Sequence, residues 1–355
     1  MRALLMLAVV FLGACEAGHP DMESLASARN RLSAVPKARM VVEQGVSTFA
    51  PTVPPAITRS DPRIVEVHWQ FKSGEREISP GVVYKDAWTI EGSVPGPMLR
   101  LRVGDVLRLY LTNNDPIMPH NIDFHSILGP GGGAGATLVE PGQTSIIEAR
   151  MVYPGLFMYH CAVKGMVPMH IANGMYGAIL VEDVIPLPKV DKEFYLTQSE
   201  WYATKEADGK YAFDYERGML RHPTYRVFNG AEGAITGDRA LQANVGDRLR
   251  FYVMNEGPND ISSFHIIGTI FDKVYREGDI VSPPRYGIQT TTIPSGGSTV
   301  IDLMVPVPGV YTIVDHAIFG LYQGLVGELV VKGPANHEIF EVLKSATSTD
   351  HQHQE

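Results

Sequence analysis

The sequence repeats itself over a distance the size of a domain. The segment 99–114, LRLRVGDVLRLYLTNN, returns as LQANVGDRLRFYVMNE at 241–256. The segment 139–161, VEPGQTSIIEARMVYPGLFMYHC, returns as TIPSGGSTVIDLMVPVPGVYTIVDH at 292–316, and a third, weaker pair follows in the same order. The offsets are about 140 to 155 residues, far longer than the period of a solenoid. Three matching segments in one order predict two similar domains in tandem.

The repeated segments have the composition of β-strands. In 99–114, apolar residues alternate with polar ones on both sides of a Gly104–Asp105 turn, which is the two-residue period of a strand. Short β-branched and aromatic runs, separated by Gly, Pro and Asn, continue through both halves. The fold class predicted is therefore all-β, with two Greek-key sandwiches or barrels over 61–186 and 187–338. A chain of 355 residues is long enough for two such cores.

The two ends of the chain predict processing and flexibility. In MRALLMLAVVFLGAC (1–15), one arginine precedes an apolar run too short to span a bilayer, which is typical of an export signal. The ending LGAC resembles a bacterial lipobox, so Cys15 is predicted to be lipidated; an ordinary secretory signal cut nearby is the alternative. Residues 16–60 predict a flexible linker and 339–355 a polar tail. We expect a periplasm-facing protein, anchored by lipid to the outer or inner membrane.

Charge and cysteine content exclude several functions. A formal net charge of −9 argues against nucleic acid or anionic lipid as a partner. The chain has only Cys15 and Cys161, so no disulfide framework is expected. Cys161 lies in YHCAVKGMVPMHIANGM (159–175), where its neighbours include imidazoles and thioethers. This combination suggests a metal site.

Strand parity divides the histidines near Cys161 into two sets. Consecutive residues on a strand point to opposite faces, so His160 and Cys161 cannot serve one site. His120 and His125 also differ by an odd number, whereas Asp123 shares a face with His125. The sequence therefore predicts two separate sites on opposite faces.

The first set combines a thiolate, imidazoles and a thioether. Cys161 is joined by His120 and, in the spacing C-x8-H-x4-M, by His170 and Met175 of the following loop. These residues form the ligand set of a blue-copper electron-transfer centre. The second set contains two histidines, which cannot close a metal site, so a third ligand must come from elsewhere.

Four motifs carry a resemblance to a known family. They are PHNIDFH (119–125), YHC…MH…M (159–175), SSFHIIG (262–268) and VDHAIF (314–319). Together, and in this order, they resemble the copper-containing nitrite reductases, a family of two-domain cupredoxin proteins related to the multicopper oxidases. The resemblance extends from about residue 60 to about residue 335 and implies two tandem cupredoxin-like Greek-key β-barrel domains.

The resemblance also implies two coppers per subunit, each with its own ligands. The implied type 1 copper ligands are His120, Cys161, His170 and Met175. The implied type 2 copper ligands are His125, His160 and, from the neighbouring subunit, His316. Further implied site residues are the proton donors Asp123 and His265, Ile267 in the substrate pocket, and Thr290, which orients the catalytic histidine.

The implied activity is a step of denitrification, NO2⁻ + e⁻ + 2H⁺ → NO + H2O. The electron enters at the type 1 copper and passes through Cys161 and His160 to the type 2 copper, where nitrite binds. Three histidine ligands leave a position on the metal open for an anion. The implied partners are nitrite, a cytochrome c or small cupredoxin as electron donor, and further copies of the chain in a homotrimer. No nucleic acid is expected.

Three other functions fit the sequence less well. A laccase-like multicopper oxidase needs several H-x-H pairs and a histidine on both sides of the cysteine, but Ala162 follows Cys161 and the folded part has no H-x-H. A pure electron-transfer cupredoxin would leave the histidines His125, His160, His265 and His316 without a purpose. A copper-carrying protein favours Met-rich or His-rich segments, and only the tail has an H-x-H pair.

Overall fold

The computed structural model describes residues 22–345. The predicted signal, the lipidation site at Cys15 and the last ten residues of the tail lie outside this range. Within it, no helix is long and apolar enough to cross a membrane. Helices are few: α1 (Met22–Ser33), α2 (Val167–Ala172), α3 (Tyr215–Met219) and 3-10 turns at Lys37–Arg39, Pro130–Gly133, Gly237–Arg239 and Ile318–Gln323.

Strands make up most of the ordered structure in both halves. The first half contains β1 (Val42–Gln44), β2 (Ser47–Thr48), β3 (Ile64–Ser79), β4 (Val82–Ile90), β5 (Met98–Arg102), β6 (Val106–Asn113), β7 (Asp123–Phe124), β8 (Thr144–Arg150), β9 (Gly155–His160) and β10 (Tyr176–Glu182). The second half contains β11 (Lys192–Trp201), β12 (Ala203–Lys205), β13 (Tyr211–Phe213), β14 (Tyr225–Phe228), β15 (Leu241–Asn244), β16 (Arg248–Gly257), β17 (Ser262–Ile266), β18 (Phe271–Arg276), β19 (Arg285–Ile288), β20 (Thr290–Ile293), β21 (Gly297–Met304), β22 (Gly309–Asp315) and β23 (Val326–Lys332).

Each half forms a sandwich of two sheets. The first pairs a seven-stranded sheet, ordered β12-β13-β4-β3-β6-β8 with β1 beside β3, with a five-stranded sheet ordered β2-β5-β10-β9-β7. The second pairs β14-β11-β16-β21-β18-β19 with β15-β23-β22-β17-β20. The all-β, two-domain fold class predicted from the sequence is confirmed. The domain bounds 61–186 and 187–338 stay a prediction, and the hairpin β12–β13 from the second half joins the first seven-stranded sheet.

The sequence repeat corresponds to a structural repeat. The consecutive strands β5 and β6 match β15 and β16, and in each pair the chain crosses from one sheet to the other. Both crossings contain a Val-Gly-Asp sequence whose glycine has a positive φ, 95° at Gly104 and 86° at Gly246. Along β6 the apolar residues Leu107, Leu109 and Leu111 are fully buried, as the alternating pattern predicts. These side chains fill the space between the two sheets, which fixes the faces of all neighbouring strands.

The two sandwiches pack on each other through β9. Met158 of β9 lies in an apolar cluster with Tyr252 and Val300 of the second half. The Leu156 amide donates to the Gly278 carbonyl at 2.9 Å, and Ser298 Oγ donates to the Leu156 carbonyl at 2.7 Å. The second half therefore holds β9, the strand that leads into the His160–Cys161 pair, through both side-chain packing and hydrogen bonds to its backbone.

The flexible linker predicted over 16–60 differs from the structure of residues 22–60. Helix α1 is tied to the first sandwich by an Arg29–Asp183 ion pair, with Nε to Oδ1 at 2.8 Å. Strand β1 adds in parallel to β3, and β2 adds antiparallel to β5. These short strands bind through backbone hydrogen bonds at sheet edges, which leaves no apolar alternation to detect in the sequence.

Candidate metal centres

Two imidazoles and a thiol converge inside the first sandwich. Cys161 follows the end of β9, His120 bridges to Val139, and His170 lies on α2. The Nδ1 atoms of His120 and His170 are 3.2 Å apart, and Cys161 Sγ is 3.1 Å from His170 Nδ1. All three side chains are fully buried. Three of the four residues predicted as type 1 ligands are therefore in direct contact in the structure.

Met175, the fourth predicted ligand, lies in the same buried cluster. Its side chain is fully buried in the apolar core that contains Cys161. The loop after α2 returns to the cysteine, because the Cys161 amide donates to the Met175 carbonyl at 3.0 Å. The structure therefore brings Met175 into the same core cluster as Cys161 and holds the two residues together through their backbones. Its role as a copper ligand stays a prediction.

Two supporting residues were missed by the sequence analysis. Asp115 Oδ2 lies 3.2 Å from His120 Nε2, and because a carboxylate only accepts, Nε2 carries the proton and Nδ1 is left to bind a metal. Asn121 Oδ1 accepts from the Ala162 amide at 2.8 Å and lies 3.5 Å from Cys161 Sγ. Asn121 directly follows His120, and this adjacency to a predicted ligand could have indicated its supporting role. Nothing in the sequence indicates that Asp115 turns back onto His120.

Burial keeps this cluster neutral in the absence of a metal. It raises the pKa of the Cys161 thiol to about 11 and lowers the pKa of His170 to about 4. Burial also lowers the pKa of His120, although Asp115 acts in the opposite direction. A metal ion that takes the thiolate must therefore displace the thiol proton, so metal binding releases a proton.

A second cluster lies on the other side of the His160–Cys161 peptide. His125 Nε2 and His160 Nε2 are 3.1 Å apart. His160 Nδ1 donates to the Cys161 carbonyl at 3.0 Å, which leaves its Nε2 free to bind a metal. Asp123 is opposite His160 in the β7–β9 register, and its carboxylate lies within 4.8 Å of both histidine nitrogens. His125 is exposed and Asp123 and His160 are half-buried, in contrast to Cys161.

The predicted site residues of the second half form a separate surface group. The rings of His265 and His316 have centroids 5.5 Å apart. His265 Nδ1 donates to the Gln289 carbonyl at 2.6 Å, and His265 is opposite Thr290 in the β17–β20 register. Ile267, two residues along from His265, is 47% exposed. Across residues 22–345, the possible metal groups include neither His316 nor His265.

The distances in both clusters fit a small metal ion. Two imidazole nitrogens held about 2.0–2.1 Å from a tetrahedral metal lie about 3.3 Å apart. The observed nitrogen–nitrogen distances are 3.2 Å in the buried cluster and 3.1 Å in the outer pair. Two imidazoles, one thiol and a nearby thioether suit copper, and an imidazole-only site suits copper or zinc. The residues present therefore fit the implied metal.

Two tandem β-sandwiches with a buried His–His–Cys cluster define a cupredoxin-like copper protein. Residues 72–184 match the family model described as multicopper oxidase. The copper-containing nitrite reductase of Neisseria meningitidis serogroup B is 47% identical over 88% of this chain and 80% of its own length. The corresponding protein of Neisseria gonorrhoeae is 47% identical over 86% of this chain and 78% of its own. The solved copper nitrite reductase from Nitrosomonas europaea aligns with a TM-score of 0.68 and 33% identity, covering 78% of this chain and 96% of that one.

The chain belongs to the copper-containing nitrite reductase family. It is an oxidoreductase, and copper is the metal that the family and the buried cluster support. The family resemblance that the four motifs carry is therefore confirmed.

Proposed function

We propose that this protein reduces nitrite to nitric oxide, with an electron and two protons delivered to an outer copper centre. The observation that carries the proposal is the position of two adjacent residues. Cys161 is buried with the inner ligands, and His160 faces the outer histidine 3.1 Å away. The peptide between them links the two clusters covalently and is the shortest path for an electron. Copper supplies one-electron chemistry in the inner cluster and an open position for an anion in the outer one.

Four further residues are proposed to deliver protons and to shape the substrate pocket. Asp123, beside the outer histidines, donates a proton to an oxygen of the anion. His265 supplies the second proton through Nε2, since its Nδ1 proton is held by the Gln289 carbonyl. Thr290, its cross-strand neighbour, orients His265. The exposed Ile267 side chain covers the substrate and limits water at the reacting atoms.

The outer site is completed by a second copy of the chain. Two histidines from one face need a third ligand, and His316 lies on a different face, beside exposed apolar residues. Phe319 and Tyr322, which follow it, are 80% and 88% exposed. Apolar surface of this kind is typical of a protein interface. A contact between two different faces forms a ring when its rotation closes, and the family resemblance supports a ring of three, a homotrimer with two coppers per subunit.

Delivery of the electron requires a donor outside the chain. A cytochrome c or a small cupredoxin is the partner proposed, acting at the inner copper. The location proposed is the periplasm, with a lipid on Cys15 as the anchor, as the LGAC ending suggests. Nucleic acid is not a proposed partner, because the net charge of −9 would repel its phosphates.

An anaerobic assay of the copper-loaded protein tests the function. With a reduced donor and isotopically labelled nitrite, we expect labelled nitric oxide, and paramagnetic resonance should detect two different copper signals in equal amounts. The two signals are expected because the ligand sets differ in thiolate content. A single copper signal without nitric oxide would contradict the proposal and favour an electron-transfer cupredoxin.

A further inference from the structure

The glycine-rich loop GPGGGAG (129–135) has no assigned role in the site described above. It contains a 3-10 turn, Pro130–Gly133, which begins six residues after the end of β7 at Phe124. Gly131 and Gly132 adopt nearly the same left-handed backbone, with φ of 57° and 53°. The two glycines nevertheless have very different surroundings, and this difference carries the inference.

Gly132 lies against the backbone and side chain of the outer cluster. A Cβ atom at Gly132 would be 1.9 Å from Asp123 Oδ1, 2.7 Å from the Phe124 carbonyl oxygen and 2.9 Å from the Phe124 amide nitrogen. Phe124 is fully buried and paired with Tyr159 of β9, so its backbone cannot withdraw. Any side chain at position 132 must therefore displace the Asp123 carboxylate or move the loop away from it.

We propose that Gly132 is a positioning residue for Asp123. The absence of a side chain lets the loop close against Asp123 and confine its carboxylate to the space beside the His125–His160 pair. Without the loop, the carboxylate could rotate away from the bound anion. This inference deepens the proposed function, on which it rests, because it states what holds the proton donor in place.

Gly131 provides a matched control. A Cβ at Gly131 would have the Ala134 Cβ, 3.7 Å away, as its nearest neighbour, an ordinary contact. Alanine at either position must adopt a left-handed φ, so both variants carry similar backbone strain. Only Gly132→Ala adds collisions, with the Asp123 carboxylate and with the Phe124 backbone. A difference between the two variants therefore reports on the contact of the loop with these two residues, and the double-variant cycle below isolates the part that acts through Asp123.

The first test compares Gly132→Ala with Gly131→Ala in the copper-loaded protein. We expect a larger decrease in melting temperature in Gly132→Ala, whose Cβ also meets the Phe124 backbone, and an unchanged visible band in both variants. We expect kcat for nitrite to fall by about 100-fold in Gly132→Ala alone, with a smaller change in KM, because a displacement of about 1 Å can cost that much. Equal kcat values in the two variants would overturn the inference.

A double-variant cycle separates positioning from a general structural effect. In an Asp123→Asn background, Gly132→Ala should cause little further loss of kcat, because it acts through the same side chain. Full additivity of the two losses would contradict the inference. If Gly132→Ala does not fold, insertion of one glycine after Gly129 loosens the loop without a collision and should also lower kcat, since loops tolerate insertions; wild-type kcat in that variant would contradict the inference.

A readout that needs neither copper nor turnover keeps this test independent of the proposed function. In crystals of the metal-free variants, the Asp123 carboxylate should be displaced in Gly132→Ala and unmoved in Gly131→Ala. An unmoved carboxylate in Gly132→Ala would overturn the inference even if nitrite is reduced. Wild-type protein without nitric oxide formation, but with a displaced carboxylate in the variant, would instead contradict the proposed function alone.

Discussion

Replacement of Cys161 by alanine removes the visible absorption of the inner copper and lowers donor-driven nitrite turnover by more than about 100-fold. Loss of a residue that only supports a metal ligand lowers metal affinity or activity by about 10- to 100-fold, so loss of the thiolate ligand itself should lower activity more. The thiolate is the ligand that defines a blue-copper site, and its peptide is the proposed path of the electron. The variant therefore loses the inner copper site and the electron path together.

The measurement is visible absorption and paramagnetic resonance on the same sample. The outer copper signal should persist in Cys161→Ala, because His125 and His160 belong to the other cluster. Replacement of Met158 by leucine, on the strand that leads into Cys161 but in a different apolar cluster, serves as the control and should keep both signals. A visible band that survives in Cys161→Ala would show that the buried thiol is not a copper ligand.

Replacement of Asp123 by asparagine is expected to lower nitrite turnover by about 100- to 10,000-fold, the usual contribution of a positioned acid or base. Asparagine keeps the shape of the side chain but cannot deliver a proton. Asp123 belongs to the outer cluster and not to the inner one, so the visible band of the inner copper should not change. The effect should appear mainly in kcat, since the outer histidines remain in place.

An exposed carboxylate elsewhere controls for the loss of one negative charge. Asp238 lies on the 3-10 turn Gly237–Arg239 of the second half, and Asp238→Asn should retain wild-type turnover. Steady-state kinetics with labelled nitrite measures both variants. Turnover within a factor of about two in Asp123→Asn would exclude the proton-transfer role, because the expected loss is at least 100-fold.

The fold and the division of ligands into two groups could be predicted because both depend on local rules. Tandem repeats predict tandem domains, and strand parity separates His160 from Cys161 whatever the rest of the chain does. Asp115 and Gly132 could not be predicted. Their roles depend on where loops turn back onto His120 and Asp123, and loop conformation leaves no periodic pattern in the sequence.

The N-terminal strands and the β12–β13 hairpin escaped prediction for a related reason. β1 and β2 add to the edges of the first sandwich, where backbone groups provide the binding and side chains stay largely exposed or half-buried. The β12–β13 hairpin makes a single register contact, Tyr211 with Tyr84, to the sheet of the other half. Long-range edge pairing of this kind has no sequence period, so for residues 16–60 composition alone suggested a linker.

Complementation between inactive variants tests most directly whether nitrite is reduced at a site shared by two copies of the chain. His160→Ala and His316→Ala, each expressed alone, should retain no turnover. When the two are co-expressed with different tags and mixed oligomers are purified, one intact site in three should re-form, because a ring of three contains one junction with both good faces. We therefore expect about one third of the wild-type nitric oxide formation. Absence of activity in the mixed oligomers, or activity in His316→Ala alone, would contradict the shared site.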